Sequence, residues 1–562
     1  MRAPGRTFCL DLGALVYFVA VTVWLTWPLT SRLTTALSGS PDSLLNFWAL
    51  GWNYHVLPAD PLGYFDANIF APRPDTLAYS EHLFAVALVA WPFYALSGNL
   101  VLAYNAAMGL SFVLSGLGMY LLTRDLTGSR WAALAAGTVF LAAPYRLLHL
   151  LHVQLLTLQW FPLVFWCLYR FLREGRIRWL AGVAGFSLLQ ALSCNYYAVY
   201  LAFAVALFGL VLLAFGRPLL SRRLVIRLAG GALLVGVLTA PFFAPYERNR
   251  ERGFYRRYED VVHFSADVSD YLRPSSFNKA PHWKWLPPQV RSEKALFPGF
   301  LAIGLAILGL HSAHAGTKQD PLRRTMMIFF FVAAFCAVVL SFGPELRVGE
   351  RVVALPYRLF YRHVPGFNGM RVPARISVLA LLGGSVFAGF GAARLTRRRP
   401  SIAGPILLAL LLFDYQTYSL SRAMPPAPAI PAVYEELAKA PSPGAVLVLP
   451  IHEGEEITKE SLYMYYSTVH WKPLVNGFSG WWPNDYWELV GRLRHFPTSR
   501  NLRYLLDRAP VRYIVVHYAR IPQPKRRHLE ANMYRYRERM PVRLRLGDDV
   551  VYEIVPAAEP PS

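Results

Sequence analysis

Several motifs that mark common enzyme classes are missing from this sequence. It contains no glycine-rich phosphate-binding loop ending in Lys-Ser or Lys-Thr, no HExxH and no strand-linked GxGxxG. Those motifs hold nucleotide phosphates, a catalytic zinc or a dinucleotide. Nucleotide hydrolysis and zinc proteolysis therefore lack their usual signatures here.

Cysteine is also scarce. The four cysteines, Cys9, Cys167, Cys194 and Cys336, all lie in or beside apolar runs, and no CxxC occurs. We therefore expect neither a disulfide framework nor a structural zinc site.

Acidic residues are few, at 34 Asp and Glu against 57 Lys and Arg, which gives a net charge of +23. Such an excess would favour nucleic-acid binding if it formed one face of a soluble domain. Much of it lies instead in short Arg clusters between apolar runs, the pattern of cytoplasmic loops. Because 55% of the residues are hydrophobic, the chain is predicted to be an integral membrane protein that binds no nucleic acid.

Long apolar runs occupy most of the chain up to about residue 420. A spanning helix needs about 20 apolar residues. The run at 84–96 is shorter and contains Pro92, which favours an interfacial or re-entrant helix. The first run is followed by no small-residue cleavage site, so we expect an uncleaved helix. About eleven transmembrane helices are predicted, at 12–29, 100–123, 131–150, 154–172, 179–194, 197–215, 228–246, 296–311, 325–343, 375–393 and 402–418.

The charges of the connecting loops assign the two sides of the membrane. If 84–96 does not cross, the loops of one side carry 19 basic residues against three acidic ones, and the positive-inside rule makes that side cytoplasmic. The N-terminus then lies in the cytoplasm of a multi-pass inner-membrane protein. Loops 30–83, 247–295 and 344–374, and everything after about residue 419, lie outside.

The C-terminal part of the chain has a different composition. Residues 425–431 are rich in Pro and Ala, as linkers often are. The fold class predicted is an α-helical polytopic membrane domain at 1–420 with an extracytoplasmic α/β domain at 421–562. In that domain strand patterns occur at 445–450 and 511–517, helical spacing at 485–495 and 502–507, and a hairpin pattern at 542–555.

The first outer loop contains several titratable residues. The apolar residues of 43–57 fall on one face of a helix, which predicts an amphipathic helix in the membrane interface. Asp42 stands at its start, as the helix N-cap, as a catalytic base, or as both. Glu81 and His82 together suit acid–base chemistry. The spacing favours the alternative, in which Ser80 caps the next helix and Glu81 complements its dipole.

The chain resembles the GT-C superfamily of membrane glycosyltransferases, which use polyprenyl-phosphate-linked sugars, in its order of elements: a first helix, a long outer loop with an early Asp followed by a juxtamembrane helix, a short interfacial helix and an Arg-containing turn. Four segments carry a second resemblance. They are SPDSLLNFWALGW at 40–52, FDANIFAPRPDTLAYSEH at 65–82, LPYRLFYRHVPGFNGMRVPAR at 355–375 and YYSTVHWKPLVNGFSGWWPNDY at 465–486. Their amino-acid sequences look like those of a bacterial branch of membrane proteins in or near that superfamily. The resemblance implies that Asp42 is the general base that deprotonates the acceptor hydroxyl, and Asn46 then lies close enough to contact substrate.

Arginines are the candidates for binding the lipid phosphate that such a donor releases. Arg371 and Arg375 lie at the outer start of a predicted helix, where the helix dipole disfavours cations unless an anion is near. Arg358 and Arg362, one helical turn apart, are candidates to share this role. The alternative for these arginines is snorkelling to membrane lipid phosphates without a specific ligand. The cluster at 248–257 alternates with glutamates and is predicted to be solvated and self-paired.

His149 and His152 lie between two predicted helices on the outer side. They are candidates for contacts with sugar hydroxyls, and interhelical hydrogen bonding is the alternative. No cofactor is expected, and a divalent cation, although possible, has no ligand pattern to support it. Trp and Tyr residues with nearby amides at 471–487 suit either carbohydrate stacking or a belt that rests the domain on the bilayer.

The function predicted from these features is glycosyl transfer on the outer side of the cytoplasmic membrane. The donor would be a polyprenyl-phosphate-linked sugar, and the acceptor an envelope glycan, lipid or protein. The alternative is a non-catalytic envelope protein or a lipid-linked glycan transporter on the same scaffold. Ion-coupled transporters usually keep charged groups near the membrane midplane, whereas here the middle of each predicted helix is almost free of them.

Overall fold

The computed structural model describes residues 4–276, 278–279, 287–289, 292–316, 320–348, 351–417 and 425–555. The end of the predicted span at 402–418 and the predicted domain boundary at 420/421 lie outside these residues. The helices of the N-terminal part are α1 (Pro4–Thr26), α2 (Pro41–Val56), α3 (Phe84–Ser97), α4 (Leu100–Thr127), α5 (Arg130–Ala142), α6 (Pro144–Leu148), α7 (Val153–Leu156), α8 (Trp160–Glu174), α9 (Ile177–Ala191), α10 (Asn195–Phe215), α11 (Arg222–Glu251), α12 (Tyr258–His263), α13 (Phe300–Gly316) and α14 (Pro321–Ser341). A short antiparallel pair follows, β1 (Glu345–Val348) and β2 (Arg351–Ala354), and then α15 (Tyr357–His363), α16 (Val378–Thr396) and α17 (Pro400–Asp414).

The chain is a multi-pass helical membrane protein. Among the described residues, seven helical segments are long and apolar enough to cross a membrane. Shorter apolar helices lie at Leu10–Thr26, Phe84–Ser97, Phe300–Ser312 and Pro400–Asp414. A helix stands at each of the eleven predicted positions, but the number that crosses the bilayer stays a prediction. The seven segments are Leu100–Thr127, Arg130–Leu148, Val153–Glu174, Asn195–Phe215, Arg222–Glu251, Pro321–Ser341 and Pro373–Thr396.

Glycine allows α13 and α16 to approach each other closely. A Cβ atom at Gly309 would collide with the backbone of Phe387, and one at Gly391 would collide with the backbone of Leu305. Small residues at helix contacts are the usual means of tight packing in a bilayer, where lipid tails are as apolar as leucine. This contact holds α16, and the arginines that precede it, in a fixed position.

Helix α2 forms where predicted, but it is not an amphipathic surface helix. Its residues from Ser43 to Asn53 are buried on every side. The Trp48 indole donates to Asn68 Oδ1 at 2.9 Å, and the Trp52 indole donates to the Tyr64 carbonyl at 2.9 Å. The local apolar pattern located the helix correctly but did not reveal that the loop and the C-terminal domain cover its polar face.

The C-terminal domain is a small α/β unit, as its sequence pattern predicts. Its four strands lie in the order β3-β4-β6-β5, with β3 and β4 parallel and the other pairs antiparallel. The β5–β6 hairpin turns at Gly547, whose φ of +61° suits glycine. The elements are α18 (Ala432–Ala438), β3 (Ala445–Leu449), α19 (Glu460–Ser467), α20 (Asn484–Leu493), α21 (Ser499–Arg508), β4 (Val511–His517), α22 (Gln523–Arg535), β5 (Val542–Leu546) and β6 (Asp549–Glu553).

This domain is joined to the first outer loop by backbone hydrogen bonds. The Leu474 amide donates to the Asn68 carbonyl at 2.7 Å, and the Ala71 amide donates to the Leu474 carbonyl at 2.8 Å. The Pro- and Ala-rich segment is also attached, because the Leu37 amide donates to the Pro425 carbonyl at 2.9 Å. Buried side chains of the domain and of α2 belong to one continuous apolar core.

Candidate active site

A cavity of about 1110 Å³ opens between α2, α10, α11, α15 and the C-terminal domain. It is large enough for a ligand of several sugar or isoprenoid units, since drug-sized ligands occupy roughly 300–1,000 Å³. Seven of the ten predicted site residues line it: Asp42, Asn46, Glu81, His152, Arg362, Arg371 and Arg375. The other three, His82, His149 and Arg358, are not among its lining residues.

Asp42 is not the N-cap of α2. Ser40 occupies the N-cap position and Pro41 is the first helical residue, which places Asp42 in the first turn. Its carboxylate points away from the helix backbone, and Oδ2 lies 3.2 Å from Nε2 of His152. The side chain is 49% exposed, so that a ligand in the cavity can reach it. Asn46 lies one turn further on and donates to the backbone carbonyl of Asp42 at 2.7 Å.

The surroundings of Asp42 favour its ionised form. Burial raises the pKa of this carboxyl group, but the hydrogen bond from His152 and the positive charges of His152, Arg375 and Arg371 lower it further than burial raises it. The resulting pKa lies below the ordinary value. The α2 N-terminus also carries partial positive charge, which stabilises a carboxylate in the first turn.

Arg371 and Arg375 have different environments at the start of the 3₁₀ turn that leads into α16. Arg375 is buried, and its Nε donates to Glu293 Oε2 at 2.9 Å. Arg371 is exposed, and its guanidinium stacks over the Phe264 ring at 4.8 Å. No carboxylate pairs with Arg371 among the residues that the structure describes. A cation without a partner therefore faces the same cavity as the Asp42 carboxylate.

His149 contacts Glu293 and does not line the cavity. The His149 side chain is fully buried, with Nδ1 2.7 Å from the Tyr145 carbonyl oxygen and Nε2 3.1 Å from Glu293 Oε2. Burial raises the pKa of Glu293, but the charges of Arg375 and His149 and their hydrogen bonds bring it well below the ordinary value. His149 is thus a partner of the Glu293–Arg375 ion pair. The ring is engaged in hydrogen bonds within the protein, which is the other role predicted for His149, and a contact with substrate stays a prediction.

Glu81 and His82 face opposite directions, and Ser80 does not cap α3. The N-cap residue of α3 is Leu83, and no side chain caps the helix. Glu81 faces the cavity and accepts from the Asn195 backbone amide at 2.8 Å, while burial raises its pKa to about 7. His82 is buried against Tyr246, with Nδ1 3.0 Å from the phenol oxygen, and burial lowers its pKa to about 3. His82 is therefore neutral and remote from any ligand in the cavity.

Only the second arginine of α15 reaches the cavity. Arg362 belongs to the last turn, next to the loop that lines the cavity from His363 to Gly366. Arg358 lies one turn earlier, about 6 Å back along the helix axis, and does not line it. Arg358 therefore does not share the cavity with Arg362, and its role in binding the lipid phosphate stays a prediction.

Two further arginines of the cavity were not expected from the sequence. Arg250 and Arg256 both line it. The self-paired arrangement predicted for 248–257 holds for Arg250, which pairs with Glu247 at 2.7 Å. It fails for Arg248 and Arg252, since both bind Asp75 of the first outer loop. The alternation of arginine and glutamate along this segment does not predict partners that lie so far away in sequence.

The described residues contain no group of three or more His, Cys, Asp and Glu side chains placed to hold a metal ion. The carboxylates of the cavity are paired with histidine, arginine or backbone amides instead. The chemistry of the lining is thus that of an acid–base group and several fixed cations.

A family model described as "Domain of unknown function (DUF6311)" matches residues 12–417, which include every residue of the site except those of the C-terminal domain. The chain belongs to this DUF6311 family. The family match begins in α1 and ends after α17, so that it covers the membrane part of the protein. A comparison with curated proteins gives no match.

Solved structures of membrane transferases are similar in fold. The arabinofuranosyltransferase AftD from Mycobacteria superposes with a TM-score of 0.58 at 14% identity, covering 98% of this DUF6311 chain and 40% of the AftD chain. The archaeal oligosaccharyltransferase AglB from Archaeoglobus fulgidus gives a TM-score of 0.48 at 11% identity, with coverage of 91% and 69%. ArnT from Cupriavidus metallidurans gives 0.47 at 16% identity, with coverage of 97% and 98%. The likeness to AftD shows a GT-C fold, and the chain spans about two fifths of the AftD length.

Proposed function

We propose that this protein is a glycosyltransferase that uses a polyprenyl-phosphate-linked sugar on the outer side of the cytoplasmic membrane. The observation that carries the proposal is that Asp42 and Arg371 line one cavity. A carboxylate and an unpaired guanidinium there provide the two functions that glycosyl transfer from a lipid phosphate needs. The AftD likeness supports the fold on which this chemistry would occur.

Asp42 is the general base of the proposed reaction. The acceptor hydroxyl attacks the anomeric carbon and gives its proton to the Asp42 carboxylate, while the bond between that carbon and the phosphate oxygen breaks. The electron pair of the broken bond leaves with the phosphate, so no acid is required. The low pKa keeps the carboxylate ionised at neutral pH, and His152 at 3.2 Å fixes its orientation.

The leaving phosphate is bound by arginine. Of the five arginines that line the cavity, Arg250 and Arg375 are paired with Glu247 and Glu293. No carboxylate pairs with Arg256, Arg362 or Arg371 in the part of the chain that the structure describes. Arginine binds phosphate oxygens bidentately, and a fixed cation stabilises the charge that develops on a leaving group. Arg371, which is exposed and lies next to Arg375, is the main candidate for this contact.

The outer side is proposed from the distribution of charge. The Arg-rich connections, including 394–399 after α16, lie at the ends of the helices remote from the cavity-lining residues of α2 and α15. The positive-inside rule assigns those connections to the cytoplasm. The cavity and the C-terminal domain then face the opposite side, where lipid-linked donors and envelope acceptors meet.

The proposal is tested by transfer from labelled donors in proteoliposomes. Purified protein is supplied with radiolabelled polyprenyl-phosphate mannose, glucose and arabinofuranose and a cell-envelope extract, and release of polyprenyl phosphate is measured. Asp42→Asn should lower the rate by about 10²–10⁴-fold. Asp60→Asn is the matched control, because Asp60 lies on the same outer loop and contacts only the Gly63 amide, at 3.0 Å. Wild-type rates in Asp42→Asn, with Asp60→Asn also active, would disprove the assigned base.

A second variant tests the phosphate contact. Arg371→Gln should raise the KM for the donor by about tenfold to a hundredfold, since a charge-assisted hydrogen bond is lost. Arg351→Gln on the exposed strand β2 is its control. An unchanged donor KM in Arg371→Gln would exclude this guanidinium from donor binding.

A further inference from the structure

The roof of the cavity comes from the C-terminal domain. The segment 477–482, here called the roof segment, places Phe478, Ser479, Gly480 and Trp482 in the cavity wall. Asp42 and Arg371 line the same cavity from the membrane domain. A ligand held in the cavity is therefore enclosed between a charged floor and an aromatic roof.

The roof segment is fixed in place by contacts with residues that line the same cavity. Arg256 Nη1 donates to the Gly480 carbonyl at 2.7 Å, and the Trp481 ring packs edge-on against Tyr79 at 4.9 Å. A Cβ atom at residue 480 would lie 2.9 Å from the Tyr79 carbonyl oxygen, so that glycine is needed for this close approach. The segment is thus a preformed surface, which lowers the entropy cost of binding a ligand.

The Trp482 indole has an unused hydrogen-bond donor that is buried beside this surface. Its Nε1 is buried and has no hydrogen-bond partner among the described residues, although the side chain lines the cavity. Phe478 packs edge-on against the same ring at 5.7 Å. Buried indole N–H groups usually have an acceptor, because leaving them unpaired is costly. An apolar ring face with one unpaired donor at its edge therefore suits a ligand that has both apolar faces and oxygen acceptors.

Several backbone groups of the roof segment are already hydrogen-bonded and cannot bind a peptide. The Gly480 carbonyl is bound by Arg256, the Gly477 amide donates to the Tyr486 phenol oxygen at 3.3 Å, and the Phe478 amide donates to Met464 Sδ at 3.2 Å. An extended peptide is usually recognised through free backbone groups of a strand edge. A lipid tail would leave the Trp482 donor unpaired.

We infer that the roof segment is the acceptor subsite and that the acceptor is a carbohydrate. A sugar ring lies against Trp482 and Phe478, and the Trp482 side chain turns so that its buried Nε1 donates to one of the sugar oxygens. Another hydroxyl of the same glycan then faces Asp42 across the cavity. This inference rests on the proposed transferase function, because it names the class of molecule that receives the sugar.

The test measures glycan binding separately from transfer. Full-length protein in detergent is mixed with soluble neutral oligosaccharides made of hexoses, pentoses or N-acetylhexosamines, and saturation-transfer NMR detects the bound sugar. Trp482→Phe keeps the ring and removes the donor, and it should weaken binding by about fivefold to thirtyfold. Trp482→Ala should abolish the signal. Trp91→Phe is the matched control, since Trp91 is exposed and does not line the cavity.

The outcomes separate this inference from the proposed function. Asp42→Asn should keep the Trp482-dependent binding of the oligosaccharide while losing transfer. The inference is overturned if no oligosaccharide binds, if Trp482→Phe binds as wild type does, or if a peptide library competes at this site instead. If Trp482→Ala fails to fold, the Trp482→Phe comparison decides. Normal transfer by Asp42→Asn together with Trp482-dependent glycan binding would remove the proposed base and leave the subsite in place.

Discussion

Asp42 Oδ2 and His152 Nε2 lie 3.2 Å apart, although 110 residues separate them along the chain (152 − 42). His152 is the N-cap residue of the short helix α7, and its Nδ1 is buried without a partner among the described residues. The histidine therefore has one strong contact, with the carboxylate. In the proposed mechanism His152 is a positioning residue that also keeps Asp42 ionised.

This pair predicts a pH dependence. Transfer needs the Asp42 carboxylate, so the rate falls as the pH drops through its pKa, which His152 helps to hold below the ordinary value. His152→Phe removes that stabilisation, and the acid limb of kcat/KM should move to higher pH. The profile is recorded between pH 3.5 and 8. His528→Phe on the exposed face of α22 should leave the profile unchanged. An acid limb that stays in place in His152→Phe would rule out this role.

The Glu293–Arg375 ion pair should be required for stability as well as for the shape of the site. Both side chains are largely buried, at 15% and 9% exposure. Glu293→Gln leaves the Arg375 charge unpaired in the protein interior, which typically costs about 3–5 kcal/mol. We expect a lower thermal unfolding temperature in detergent for Glu293→Gln, measured by tryptophan fluorescence.

The double variant Glu293→Gln/Arg375→Met identifies the cause of that loss. It removes both charges, and most of the stability should return while transfer stays impaired. Glu259→Gln, an exposed residue of α12, is the control for loss of a carboxylate. If the double variant were no more stable than Glu293→Gln, the penalty would not arise from the unpaired guanidinium.

The close contact between α13 and α16 should tolerate no added side chain. Gly391→Ala places a methyl group against the Leu305 backbone, and overpacking of this kind costs about 1–3 kcal/mol. Gly384→Ala is the matched control, because a Cβ at that position of the same helix has open space around it. The yield of monodisperse protein after detergent extraction should fall for Gly391→Ala and not for Gly384→Ala. Equal yields would contradict the packing described.

The side of the membrane is tested by labelling of introduced cysteines. A single cysteine at the exposed residue Arg527 of α22 should react with a membrane-impermeant maleimide in intact cells. A cysteine at Arg398, in the Arg-rich connection after α16, should react only after the membrane is opened. The reverse pattern would place the cavity on the cytoplasmic side and exclude the proposed donor chemistry.

The sequence alone determined the elements that depend on local pattern. Runs of apolar residues located the helices, short β-branched runs located β3 and β4, and the turn at Gly547 located the β5–β6 hairpin. Asp42, Arg371 and Arg375 were also predicted as site residues from the sequence. Each lies near a helix terminus, where the helix dipole interacts with a charged side chain. These are properties of neighbouring residues, which a linear pattern can express.

The tertiary structure alone decided which side chains share the cavity. Glu293 pairs with Arg375, Arg256 binds Gly480, and the roof segment closes over α2, in each case across 82 or more residues of chain (375 − 293). Periodicity carries no information about such partners, and for the same reason the cover over α2 was not foreseen. The local sequence determines where a charged residue stands along the chain, but tertiary packing determines which residue pairs with it.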